Sequence, residues 1–181
     1  TQIDNAVAWF RKNNPTDLRS DDYLKRLWLS GWGLSVRYNG PVADSYYLDL
    51  DSGASTIIVG AGAARSEELE FLRWDVTAVG YSLIESRKNT EAFIIGGGGG
   101  RDILTARIFG VSNIDVVELN PGVVSAVEES FGSFSGSPYS QANVSLTYGE
   151  ARSVLQRGNS SYDTIQMSMI DTFAATSSGA F

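Results

Sequence analysis

The chain has 181 residues, 43% hydrophobic and 19% charged, with no cysteine and no histidine, so it can bury a core but has no disulfide to staple it. Thiolate and imidazole metal sites, cysteine nucleophiles and serine–histidine catalysis are excluded, which leaves acid–base chemistry to carboxylates, Lys, Tyr or the backbone. Fourteen basic against 21 acidic residues give a net charge of −7, which argues against nucleic acid as a partner because the basic footprint is missing.

In chain order, Asn5–Lys12 reads as a short helix with Asp4 as candidate N-cap, and Asp21–Leu29 as a second, capped by Ser20 or Asp21. Gly31–Tyr38 and Ser45–Asp51 read as strands around the turn signal Asn39-Gly40-Pro41. Ser55–Val59 is a third strand candidate and Ser66–Trp74 a helix. From Ala92 a regular alternation begins: strand Ala92–Ile95, helix Arg101–Phe109, strand Ile114–Glu118, helix Gly122–Phe131, strand Val144–Thr147, a helix opened by Glu150–Leu155, and strand Thr164–Ile170. Short strands and helices in alternation imply an α/β fold with a parallel sheet covered by helices.

Residues 1–90 thus form a small β-rich lead-in with helical pieces, and residues 91–181 the α/β unit. Four parallel strands make a small sheet, and the chain enters a small-residue loop after Asp171. The expectation is a sheet incomplete at its C-terminus, the chain being a piece of a larger fold. The apolar stretches, such as Thr56–Gly60, fall short of the ~20 residues that span a bilayer. The polar N-terminus has no leader pattern, which makes a cytoplasmic location the default.

Four constellations carry chemistry. The first is Ile94-Ile95-Gly96-Gly97-Gly98-Gly99-Gly100-Arg101-Asp102, a buried strand running through glycines into a helix. Glycines let backbone amides approach a ligand, and a helix N-terminus adds oriented N–H groups, so Gly96, Gly98, Gly99 and Gly100 are candidate nucleotide-binding residues. The second is Val116-Val117-Glu118-Leu119-Asn120-Pro121. Glu118 ends a strand 18 residues after the last glycine, where a carboxylate accepts from both ribose hydroxyls. The third is Gly149-Glu150-Ala151-Arg152, where Glu150 either accepts from an adenine amine or sits in the first helical turn, favoured by the dipole. The fourth is Tyr162–Thr172, in which Ser168 and Asp171 are the polar groups at the strand end, and Asp163 caps the turn before it.

In this order the motifs resemble the class I S-adenosylmethionine-binding fold, and within it the spermidine synthase (polyamine aminopropyltransferase) family. Tyr46–Gly53 also resembles that family's N-terminal β-hairpin, and Asp171-Thr172-Phe173-Ala174-Ala175-Thr176 a divergent branch of it. The resemblance implies a Rossmann-like, class I methyltransferase-type parallel sheet. It implies S-adenosylmethionine or its decarboxylated form as cofactor, no metal, and a small-molecule amine or methyl acceptor. Glu118 would hold the ribose and Glu150 the adenine, with Leu119 and Ala151 as further cofactor-binding residues. A homodimer through the N-terminal β region is implied by resemblance alone.

Two departures bear on activity. Gly99 stands where the family usually has an aspartate that holds the aminopropyl amine, and Ser168 where it has the aspartate that assists deprotonation of the attacking amine. Asp171 matches a second aspartate that helps bind the polyamine, so Ser168 and Asp171 are the candidate catalytic residues. Aminopropyl transfer to an amine is the leading expectation. The alternatives are methyl transfer, with Arg101 pairing the carboxylate of the intact cofactor, and a binding or scaffold domain that has lost catalysis. A dinucleotide-dependent dehydrogenase is a weaker fourth, since the motifs after Glu118 count against it.

Overall fold

The computed structural model of the chain describes residues 2–31, 33–50, 54–158 and 160–168. Helices α1 (Gln2–Asn13) and α2 (Asp21–Ser30) lead into strands β1 (Ser45–Leu50) and β2 (Ala54–Val59). Helices α3 (Ser66–Leu69) and α4 (Val79–Ser82) precede strand β3 (Glu91–Ile95). Next come α5 (Arg101–Ile108), β4 (Asn113–Glu118), α6 (Pro121–Ser125), α7 (Gly132–Ser135), β5 (Val144–Tyr148), α8 (Ala151–Arg157) and β6 (Thr164–Met167).

The four later strands form one parallel sheet in the order β5-β4-β3-β6. Strand β3 is central, and its run Ala92, Phe93 and Ile94 is buried without alternation, as a parallel strand covered on both faces requires. The chain walks outward from β3 through β4 to β5, then returns to pair β6 with the other side of β3. The order therefore reverses between β3 and β6. In open α/β sheets the ligand crevice lies outside the carboxyl ends of the strands at such a point.

The hairpin β1–β2 is antiparallel, with Ser45 opposite Val59 and Leu50 opposite Ala54. It is welded to the sheet by two elements that each serve two cores. Ile58 of β2 and Ile103 of α5 pack with Ile94, Ile114 and Val116. Their chain neighbours Val59 and Leu104 pack with Leu24, Leu27, Phe71 and Leu72. Adjacent strand residues face opposite sides, so β2 is sandwiched between the two clusters. Helix α5 is buried from Arg101 through Ala106, which is why it lacks a polar stripe.

Several local expectations change. The described residues of Gly31–Tyr38 form no strand. Gly31 takes the left-handed C-cap of α2 at φ +83°, Leu34 makes a lone bridge to Asp75, and Tyr38 N–H closes a turn on the Ser35 carbonyl. Its apolar residues Leu34 and Tyr38 are buried as loop residues, so alternation there reflects tertiary packing. The antiparallel pair is consequently β1 with β2, and Asn39-Gly40-Pro41 does not lie between paired strands. Asp4 lies inside the first turn of α1, whereas Ser20 caps α2 by accepting from Tyr23 N–H at 3.1 Å. The helix over Ser66–Trp74 tightens into a 3-10 turn at Glu70–Trp74, which turns Phe71 and Leu72 into the core. The helix over Gly122–Phe131 begins at Pro121 and widens into a π turn at Ala126–Ser130. The last strand ends at Met167, so Ser168 sits just past it.

Candidate functional site

The glycine run joins β3 to α5 at the carboxyl end of the sheet. Gly98 has φ +50°, a left-handed conformation that side chains resist. Gly99 has no such angle, but a Cβ there would lie 1.9 Å from the carbonyl oxygen of Ile57. Strand β2 therefore lies directly on the loop, and it bridges it again between Ile58 and Gly100.

The loop's amides are bonded within the protein. Gly96 N–H donates to the Val117 carbonyl at 2.8 Å and Gly100 N–H to the Gly97 carbonyl at 2.9 Å. Gly98 N–H donates to Glu118 Oε2 at 2.9 Å, and Gly99 N–H to Thr56 Oγ1 at 2.8 Å. The Tyr139 hydroxyl donates to the Gly98 carbonyl at 2.6 Å, and its burial pushes that phenol above its ordinary range. The expectation of loop amides aimed at a ligand is thus replaced, for these four, by a loop shaped by amides that the protein itself satisfies.

Glu118 closes β4 and is 8% exposed. Oε2 accepts from Gly98, and Oε1 accepts from Asn120 N–H at 2.9 Å. A carboxylate has about four acceptor positions, so these amides fix its orientation and leave acceptor capacity for a diol. Leu119 beside it is exposed. Asn120 accepts from Gly122 N–H and caps α6.

Glu150 is the N-cap of α8. It accepts from Arg152 N–H at 2.9 Å and from Ser153 N–H at 2.8 Å, with Ala151 as the first helical residue. Those backbone donors hold its carboxyl below the usual range. It is exposed and accepts a third bond from the Ser153 hydroxyl at 2.9 Å, which leaves one of its about four acceptor positions.

Past β6, Ser168 Oγ accepts from Gln166 Nε2. Asp171 lies outside the described residues. Arg101 is not free to meet a ligand carboxylate. Its Nη2 pairs with Asp75 Oδ2, with side chains 8% and 0% exposed, and Asp75 also accepts from Thr77 N–H at 2.9 Å.

Sequence reasoning passed over Thr56, Tyr139, Asp75 and Asp102. The available signal for Asp102 was a charged pair, Arg101-Asp102, opening a helix that follows a buried strand. Asp102 is 7% exposed. Burial raises its pKa above the usual carboxylate value, Ser168 and Arg101 oppose that rise, and Asp75 adds to it. For Thr56 and Tyr139, each brought in from a distant element, no sequence signal existed.

A reversing parallel sheet, a glycine loop after its central strand and a buried acid closing the next strand define a Rossmann-like α/β domain of the methyltransferase type. The spermine/spermidine synthase domain family matches residues 75–181, more than half of the chain, and the chain belongs to that family. Among solved structures it is similar to spermidine synthase in complex with the transition state analogue AdoDATO, at 12% identity and TM-score 0.44, covering 75% of this chain and 47% of the other. It is similar to spermidine synthase from Thermotoga maritima at 12% identity and TM-score 0.41, covering 72% and 46%. It is also similar to a protein-L-isoaspartate O-methyltransferase at 16% identity and TM-score 0.41, covering 90% and 47%. The chain spans about half the length of these structures. A comparison with curated protein sequences found no match. Among the described residues no helix is long and apolar enough to cross a membrane.

Proposed function

We propose that the chain carries the nucleoside-binding part of a transferase that alkylates an amine, using S-adenosylmethionine or its decarboxylated form. The observation that carries the reading is Glu118, oriented by two backbone amides at the end of β4 with acceptor capacity left for a ribose diol. The glycine loop supports a nucleoside over a dinucleotide. The amides of Gly96, Gly98, Gly99 and Gly100 are satisfied internally, and a pyrophosphate site would need such amides as donors. Glu150 and Ala151, at the start of α8, are the residues we assign to the base. When bound, the nucleoside supplies a carbon activated by a sulfonium; the protein's part is to hold the sugar and base and to place the acceptor.

A second reading, methyl transfer, draws support from Gly99. The Ile57 carbonyl excludes a side chain there, so no carboxylate can hold an aminopropyl ammonium from that position. Calorimetric titration with S-adenosylmethionine, its decarboxylated form and methylthioadenosine separates the two. Preference for the decarboxylated form supports aminopropyl transfer, and preference for the carboxylated form supports methyl transfer. Binding of none of the three removes both.

A further inference from the structure

We propose that Arg101 and Asp75 are positioning residues for the nucleoside site: their buried ion pair fixes the glycine loop and the start of α5 against the lead-in, and through the loop it sets the place of Glu118. That Glu118 receives a nucleoside rests on the reading above; that the pair fixes the loop does not.

The pair has no local reason to stand where it does. Arg101 is the first residue of α5, where a cation meets the positive end of the helix dipole. Its side chain is 8% exposed and that of Asp75 0%, so both charges have been taken out of water. Desolvation offsets much of what such a pair gains, and apolar side chains of similar volume often fold as well or better. Stability is therefore a poor account of the pair. A buried charge, unlike an apolar side chain, is satisfied only at its partner, which ties the two elements that carry them to one placement.

Asp75 is a fixed anchor. Its Oδ1 accepts from Thr77 N–H at 2.9 Å. Its backbone bridges Leu34, with Ser35 N–H bonded to the Trp74 carbonyl at 2.9 Å and Val76 N–H to the Gly33 carbonyl at 3.0 Å. Gly33 lies against the carboxylate: a Cβ there would stand 2.4 Å from Oδ2 and 2.5 Å from Oδ1. The carboxylate thus belongs to the lead-in and has little room to move. Arg101 depends on it. Among the described residues its guanidinium is bonded to Asp75 through Nη2, and its buried Nε has no partner. The direction of the Arg101 side chain is therefore set by Asp75.

The other end of the connection is the site. Arg101 follows Gly100 directly. Gly100 is packed on two sides: a Cβ on it would lie 2.4 Å from Pro138 Cγ, and its backbone bridges Ile58 of β2. A displacement of Arg101 therefore has no free space at Gly100 in which to die out, and it passes to Gly99 and Gly98. Gly98 N–H is one of the two amides that orient Glu118. Residues 98–101, one ion pair and one hydrogen bond thus connect Asp75 of the lead-in to the carboxylate assigned to the ribose.

The test uses the full chain, its apolar double variant Asp75→Leu with Arg101→Met, and Asp75→Asn. Amide hydrogen exchange in the free protein reads the loop, with the rates at Gly98 and Gly99 taken relative to Ile94 in the central strand. A pair that only stabilises the fold would change these amides together and leave the ratio alone. Calorimetry with methylthioadenosine reads the site. In the double variant the expected result is a rise of about tenfold in the ratio and methylthioadenosine binding weaker by about tenfold, the size of one lost bond to a charged group. An exchange ratio that stays at its wild-type value overturns the proposal. A raised ratio with unchanged methylthioadenosine affinity overturns it as well, because the loop then does not place Glu118. A wild type that binds no methylthioadenosine overturns the nucleoside reading instead, and the exchange ratio alone then decides on the pair. If the double variant does not fold, Asp75→Asn, which keeps an acceptor for Thr77 and removes the charge, is read in the same way.

Discussion

Replacing Gly99 by alanine tests whether strand β2 and the glycine loop form one unit. Gly99 has an ordinary backbone angle, so alanine adds no φ strain there. Its Cβ would meet Ile57 O at 1.9 Å, the Ile57 carbonyl carbon at 2.5 Å and Ile58 N at 3.0 Å. All three are backbone atoms of a paired strand, which cannot swing aside as a side-chain tip could. The loop or the strand must shift. Overpacking of this kind costs about 1–3 kcal/mol, and losing the Gly99 N–H bond to Thr56 adds about 1 kcal/mol. The expected destabilisation is about 2–4 kcal/mol in urea unfolding, about 4–16 °C in Tm for a chain of this size. Gly110→Ala is the control. Gly110 has φ +72° and open space for 4 Å around the place a methyl group would take, so strain alone should cost about 1 kcal/mol. A Gly99→Ala variant within about 0.5 kcal/mol of wild type, the range of a neutral surface change, would refute the packing of β2 on the loop.

Three further outcomes follow from the site's hydrogen bonds and charges. Tyr139→Phe removes the donor to the Gly98 carbonyl and should cost about 1 kcal/mol in urea unfolding, with faster hydrogen exchange at Gly98. Asp163 accepts from Glu91 N–H at 2.9 Å and pairs with Arg87, which holds its carboxyl below the ordinary value. Its contribution is present above the ordinary aspartate pKa of about 3.9 and is lost as pH falls through its own lower value. Asp163→Asn should therefore flatten the acid limb of a urea-midpoint profile. Asp102 has the opposite sign. Its raised pKa makes its contribution greatest below the ordinary carboxylate range and lost as pH rises through the raised value. Asp102→Asn should be more stable than wild type at pH 7, the difference closing in acid; a less stable variant at pH 7 would contradict the burial penalty on the Asp102 carboxylate.

The parallel sheet was legible because its central strand, covered on both faces, reads as an unbroken apolar run, Ala92–Ile95, and because the first three of its strands in chain order are each followed by a helix start. Glu118 was legible for the same reason, since its place at a strand end follows from the run before it. The lead-in was not. Its apolar spacing over 31–38 arises from loop residues packed into a core by distant partners, and a period of two does not separate that from a strand. Glu150 was read with two roles open, adenine acceptor or a place in the first helical turn, and the structure makes it the N-cap just before that turn. Asp102 escaped because its burial comes from the packing of α5 between β2 and the parallel sheet, which no pattern around position 102 announces. The need for glycine at 99 also escaped. The reason lies in strand β2, which sequence places outside the nucleotide motif altogether.

The most direct test of the nucleoside site is an amide chemical-shift titration with methylthioadenosine. The expected result is a set of shifts centred on Gly98, Leu119, Asn120 and Ala151, with Glu118→Gln weakening binding by about 1–3 kcal/mol. Binding that leaves these amides unmoved, or that is indifferent to Glu118→Gln, would contradict the assignment of the loop and Glu118 to the nucleoside.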